Sequence, residues 1–150
     1  MEKIKHVDIR TDISYDTDGG FWIDISGDIA RIGMSPLVQE TSGSFVAVRM
    51  SNIGSVMHKG ESFGSVEAEK HVGQLHMPLS GKIVAVNEKV IENPRLLNTD
   101  PYGKGWLVEL ELDADGAKEA AGLLSGDENV KRWFREEIDR YEKKGWLAES

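Results

Sequence analysis

One stretch, Glu67-Ala-Glu-Lys-His71, sets two glutamates, a lysine and a histidine together. Glu67 and Glu69 could act as paired carboxylates, but nothing near an exposed turn would raise a carboxylate pKa, so they read as surface charges. Four histidines, His6, His58, His71 and His76, are scattered over turns and strands. His71 and His76 stand on opposite faces of any strand that holds both, which makes them poor co-ligands for one metal. Neither a Gly-x-Ser-x-Gly nucleophile elbow nor a phosphate-cradling Gly-x-x-x-x-Gly-Lys-Ser/Thr loop is present. The absence of cysteine removes thiolate nucleophiles, thiolate metal ligands and disulfides. The stretch leaves Lys70, and a lone lysine at a turn is ordinarily a solvated charge. As a stand-alone catalyst the chain is empty, so any thiol chemistry would have to come from an attached group.

The elements that must hold this stretch are short strands. Phe63 to Gly81 contains two apolar runs around the charged centre, then a Pro78-Leu-Ser-Gly81 turn into Lys82–Val86. Ser62 to Asn87 therefore predicts three strands. Upstream, Phe21–Ser26 and Ile29–Ile32 flank Gly27-Asp28 as a hairpin, and Phe45–Met50 alternates as a strand. Ser35-Pro36 opens a short helix that Ser42-Gly43 must end. Pro94 to Leu97 predicts one helical turn, and Trp106–Leu112 another strand. Residues 1 to 20 are charged and end in a turn-rich Asp16-Thr-Asp-Gly-Gly20. Ala117, Ala120, Ala121 and Leu124 keep helical spacing. After a capping-box pattern at Ser125–Glu128, Val130, Trp133, Phe134, Ile138 and Tyr141 form one apolar stripe up to Gly145, and the stripe reads as core contact. The fold class is mainly β, a barrel or sandwich with a C-terminal amphipathic helix.

One domain over 1–150 is the simplest division, with a core about 21–112 and a helical segment about 114–145. No signal-like apolar region opens the chain, so a cytoplasmic protein with no membrane partner is expected. The formal charge of −8 argues against binding a phosphate backbone, so no nucleic-acid partner is expected.

Two ordered motifs then become specific. Phe63-Gly-Ser-Val-Glu-Ala-Glu-Lys70, followed by Pro78-Leu-Ser-Gly81 and Lys82-Ile-Val-Ala-Val-Asn-Glu88, resembles the lipoylation site of the glycine cleavage system H-protein family. Asn98-Thr-Asp-Pro-Tyr-Gly-Lys-Gly-Trp106 resembles the family's Asn-x-Asp-Pro-Tyr-Gly-x-Gly-Trp block, and reads structurally as a turn over Tyr102 and Trp106. The resemblance spans roughly residues 21 to 112. It implies a hybrid barrel-sandwich of the lipoyl/biotinyl-carrier type with lipoate covalently attached to Lys70 and Glu67 close to the attachment site. It also implies a carrier without a catalytic site of its own, modified by a lipoate ligase or lipoyl transferase. The cofactor does the chemistry, and the protein supplies address and orientation.

Three positions depart from the family pattern. Phe21 stands where the family has a glutamate, Thr41 where it has a histidine, and Gln74 where it has an aspartate four residues after the carrier lysine. The family uses these groups to hold a methylamine-loaded arm, and a buried cation needs such partners. With the long C-terminal helix, these losses favour a sulfur cargo delivered to a heterodisulfide-reductase-like sulfur-oxidation complex. The alternative is a conventional glycine cleavage H protein serving glycine decarboxylase, aminomethyltransferase and dihydrolipoamide dehydrogenase. From a different class, a non-lipoylated interaction domain remains, though a full site around Lys70 speaks against it. A biotin carrier is less apt, because Lys70 lacks flanking methionines.

Overall fold

Short alternating segments separated by glycine and serine cannot bury both faces alone, so they pair into sheets that share a core. The computed structural model describes residues 1–146, so the last four positions of the expected domain lie outside the described residues. A small hairpin joins β1 (Glu2–Ile4) to β2 (Val7–Ile9). The main sheet has six strands, in the order β3 (Ser14–Asp16), β4 (Phe21–Ser26), β5 (Ile29–Met34), β11 (Trp106–Leu112), β10 (Gly81–Val86) and β7 (Val56–Met57). A second sheet sets β8 (Ser62–Ala68) between β6 (Phe45–Met50) and β9 (His71–His76). Every pairing is antiparallel.

The two larger sheets close over one core. Phe21, Ile23 and Ile32 meet Phe45, Phe63, Val66 and Leu75 from the smaller sheet. The Phe21 and Phe63 rings lie 5.8 Å apart. This is the expected mainly β barrel-sandwich architecture, and the C-terminal amphipathic helix is also present.

Local rules account for most boundaries. Gly27 turns the β4–β5 hairpin at φ +64°, where a side chain would be strained. Helix α1 (Pro36–Ser42) starts with the Ser35 hydroxyl accepting from the Leu37 amide at 3.4 Å and ends at Gly43, φ +77°. Helices α2 (Glu88–Glu92) and α3 (Leu96–Thr99) follow β10. The one helical turn predicted from Pro94 corresponds to α3. Helix α2 is an addition, capped by the Asn87 side chain, which accepts from the Lys89 amide at 3.1 Å.

Helix α4 (Ala114–Glu119) ends earlier than the alanine spacing suggests, in a 3-10 turn at Ala120–Gly122. Leu124 is held extended by reciprocal backbone bonds to Tyr15, each 2.9 Å. The expected capping box at Ser125 therefore does not form. Instead Gly126, at φ +92°, precedes α5 (Asp127–Lys143) without a side-chain cap. Val130, Phe134 and Ile138 of α5 are fully buried against Val7, Ile9, Tyr15, Trp22 and Leu37. The apolar stripe is thus core contact, as its spacing predicts. Its partners include β1–β3, which the turn-rich reading of residues 1–20 passed over. Among the described residues no helix is long and apolar enough to cross a membrane.

Candidate functional site

Lys70 sits in a two-residue turn, Glu69-Lys70, between β8 and β9, with Ala68 paired to His71 across the hairpin. Neither turn residue adopts positive φ. Two-residue hairpins usually need positive φ to match strand twist. Here the turn is pinned from outside. The Lys70 amide donates to the Ser42 carbonyl at 2.9 Å, and the Glu69 amide donates to the Ser44 carbonyl at 3.1 Å. In return the Ser44 amide donates to the Glu69 carboxylate at 2.7 Å. That amide bond holds the Glu69 carboxyl below the usual glutamate range. Gly43 is required at this corner, because a Cβ there would lie 3.1 Å from Glu69 Oε1 on a backbone already at positive φ.

The corner is held in turn by the second motif. Asn98 Nδ2 donates to the Gly43 carbonyl at 2.8 Å, and Asn98 Oδ1 accepts from the Phe45 amide at 3.0 Å. The rest of the block is anchored too. Trp22 Nε1 donates to the Pro101 carbonyl at 2.9 Å, and the Tyr102 hydroxyl meets the Tyr15 hydroxyl at 2.8 Å. Burial pushes both tyrosines up, away from ionisation. Tyr102 packs against Trp22 at 6.0 Å, while Trp106 lies in β11 under the Arg31 guanidinium at 4.7 Å. The block is structural, as expected. Its effect on the Lys70 corner through Asn98 was not legible in the sequence; the polar residue opening the block was the only available signal.

Lys70 is exposed, and among the described residues no hydrogen bond or ion pair holds its ammonium. Its side chain borders a cleft of about 450 Å³, shared with Thr41 and Ser42 of α1, His71 of β9, and Tyr141 and Trp146 at the chain's far end. An uncommitted amine beside space of this size fits acylation by a small-molecule group. Glu67 is brought elsewhere. It is exposed on β8 opposite Val72 and Ala47, and lines a separate concavity with Arg49 and Gln74. No three His, Asp or Glu side chains converge as a metal site among the described residues.

The positions behind the expected sulfur cargo are not gathered into one place. Phe21 is buried in the core, and only Thr41 borders the Lys70 cleft. Gln74 accepts from the Ser62 hydroxyl at 2.6 Å on the other concavity. Their substitution is therefore not the loss of a single polar clamp, and the argument for sulfur built on them fails.

Comparison with known proteins is consistent with this. A family model described as "Glycine cleavage H-protein" matches residues 13–137. The glycine cleavage system H protein of Carboxydothermus hydrogenoformans is 41% identical over 110 residues, 73% of this chain and 83% of that protein. One from Mycobacterium sp. (strain KMS) is 44% identical over 115 residues, covering 75% and 88%. The crystal structure of a glycine cleavage system H protein from Mycobacterium marinum matches with a TM-score of 0.66 at 37% identity, over 76% of this chain and 98% of that one. These relatives support neither the sulfur cargo nor a heterodisulfide-reductase-like partner. Matched along most of its length in sequence and in fold, the chain belongs to the glycine cleavage H-protein family, whose members carry lipoate on a lysine.

Proposed function

We propose that Lys70 is the lipoyl attachment site, and that the chain serves glycine cleavage as the carrier of the aminomethyl group. The observation that carries this reading is the hairpin tip. Its two turn amides and the Glu69 carboxylate are committed to Ser42 and Ser44, while among the described residues no hydrogen bond or ion pair holds the Lys70 ammonium. A ligase needs a reachable amine, and a swinging arm needs a fixed root. The tip supplies both.

Bound lipoate supplies a dithiol–disulfide couple, which a cysteine-free chain lacks. The chain's own part is positioning. Asn98 holds the Gly43–Phe45 corner, the corner holds the Glu69-Lys70 turn, and the turn sets where the arm begins. The partners of this reading are glycine decarboxylase, aminomethyltransferase and dihydrolipoamide dehydrogenase, with a lipoate ligase or transferase upstream. The protein itself is a carrier without a catalytic site. The names of its relatives support the aminomethyl cargo.

The test is to offer lipoylated protein glycine together with glycine decarboxylase and to follow intact mass. Loading of the aminomethyl group onto wild type is expected. Failure to load, with the lipoyl group present, contradicts the cargo.

A further inference from the structure

One residue beside Lys70 lies beyond the matched family region and is both exposed and firmly seated. The family model ends at residue 137, whereas Trp146 borders the same cleft as Lys70. Gly145, at φ +71°, donates its amide to the Glu142 carbonyl at 3.1 Å, and the Trp146 amide donates to the Tyr141 carbonyl at 2.9 Å. A helix ended by glycine in this way brings the following residue against the last turn. The Trp146 ring accordingly lies 5.5 Å from that of Tyr141, and Lys144 Nζ stands 4.6 Å from the indole centre. So held, Trp146 still leaves 49% of its surface open. A tryptophan already fixed in place loses little side-chain freedom on contact, which suits it to anchor an interface.

We infer that Trp146 is a docking anchor for the enzyme that acylates Lys70 from a lipoyl adenylate, a role that rests on Lys70 being the lipoylated residue. The chemistry of acylation fixes this occupant. The Lys70 ammonium gives a proton to water, and the free amine attacks the carboxyl carbon of the adenylate. A C–N bond forms, the C–O bond to the phosphate breaks, and AMP departs. The enzyme must therefore bring its reacting carbon to about 3 Å from Lys70 Nζ. A specific complex covers on the order of 800 Å² of each partner, so a footprint placed on Lys70 takes in the cleft that Trp146 borders. Enzymes that act later meet the far end of the arm and have no need to reach its root. Charge points the same way. The chain carries −8, yet among the described residues lining this cleft there is no carboxylate, and the neighbouring Glu69 carboxylate is taken by the Ser44 amide. Lys70 and Lys144 leave a cationic rim, which suits the anionic phosphate of an acyl adenylate.

The experiment titrates full-length unmodified protein, wild type and Trp146→Ala, as the substrate of a lipoate ligase with saturating lipoate and ATP. Rates of lipoyl addition are read by intact mass, and far-ultraviolet circular dichroism checks that the variant keeps its fold. Trp146→Ala should raise the ligase KM about ten-fold while kcat stays within about two-fold, because the indole touches no reacting atom. Both proteins, lipoylated to completion, are then reduced by dihydrolipoamide dehydrogenase with NADH. There their KM values should agree, since that enzyme meets only the end of the arm. An unchanged ligase KM, or a rise matched in the dehydrogenase reaction, overturns the anchor alone. No lipoyl addition to wild type, or addition that survives Lys70→Arg, overturns both the anchor and the attachment site on which it rests.

Discussion

The Ser44 amide donates to the Glu69 carboxylate at 2.7 Å, which ties the turn that presents Lys70 to the start of β6. Through this corner, two motifs separated in the chain become one device. Asn98 grips Gly43 and Phe45 from below, and residues 42–44 grip Glu69 and Lys70 from above.

The first prediction follows from the charge on Glu69. The Ser44 amide holds the Glu69 carboxyl below the ordinary glutamate range, so the bond persists above that range and is lost as pH falls through the lowered value. Amide chemical shifts read this directly. The Ser44 resonance should titrate with a midpoint below that of an ordinary glutamate, and Glu69→Gln should abolish the titration.

Removing the Asn98 side chain should loosen the corner. Asn98→Ala leaves the Gly43 carbonyl and the Phe45 amide without their partner in a part-buried place. A loss of about 1–3 kcal/mol is expected in urea unfolding, with faster amide exchange at Glu69 and Lys70. A stability loss without faster exchange at the turn would separate Asn98 from the site.

The glycine of the lysine-bearing motif has a packing reason. A Cβ on Gly64 would lie 2.1 Å from the Arg49 carbonyl oxygen, across the β6–β8 pair. Gly64→Ala should therefore cost about 1–3 kcal/mol by forcing the strands apart, read as a lower urea midpoint.

Much of this architecture was legible in the chain. Phe21–Ser26, Phe45–Met50 and Trp106–Leu112 alternate over six or seven residues, long enough for period two to show, and all are strands. Strands β1 to β3 have three residues each, too short for alternation to be visible, and they form because α5 and the sheet offer them apolar surface. The Ser125 cap was a sound local pattern overruled by the Tyr15–Leu124 bridge. At the site, the residue types around Lys70 were readable, but the neighbourhood was not. Phe21, Thr41 and Gln74 look like one eroded clamp on paper, yet fold into a core, a cleft and a separate concavity. Asn98 reaches residues more than fifty positions away, and local sequence carries no signal of such a contact.

Helix α5 is part of the folded core, and truncating its central ring should show it. Phe134 is fully buried and meets Tyr15 and Trp133 edge-on, each at 4.9 Å. Phe134→Ala should cost about 3–5 kcal/mol in equilibrium unfolding. A change under 1 kcal/mol would instead mark the helix as loosely attached.

The claim on which the rest depends is that Lys70 bears the arm. Its most direct measurement is intact mass after incubation with lipoate ligase, lipoate and ATP, for wild type and for Lys70→Arg. Arginine keeps the positive charge but offers no acylable amine. The account predicts one lipoyl addition on wild type and none on Lys70→Arg. Addition that survives in Lys70→Arg, or no addition to wild type, would contradict it.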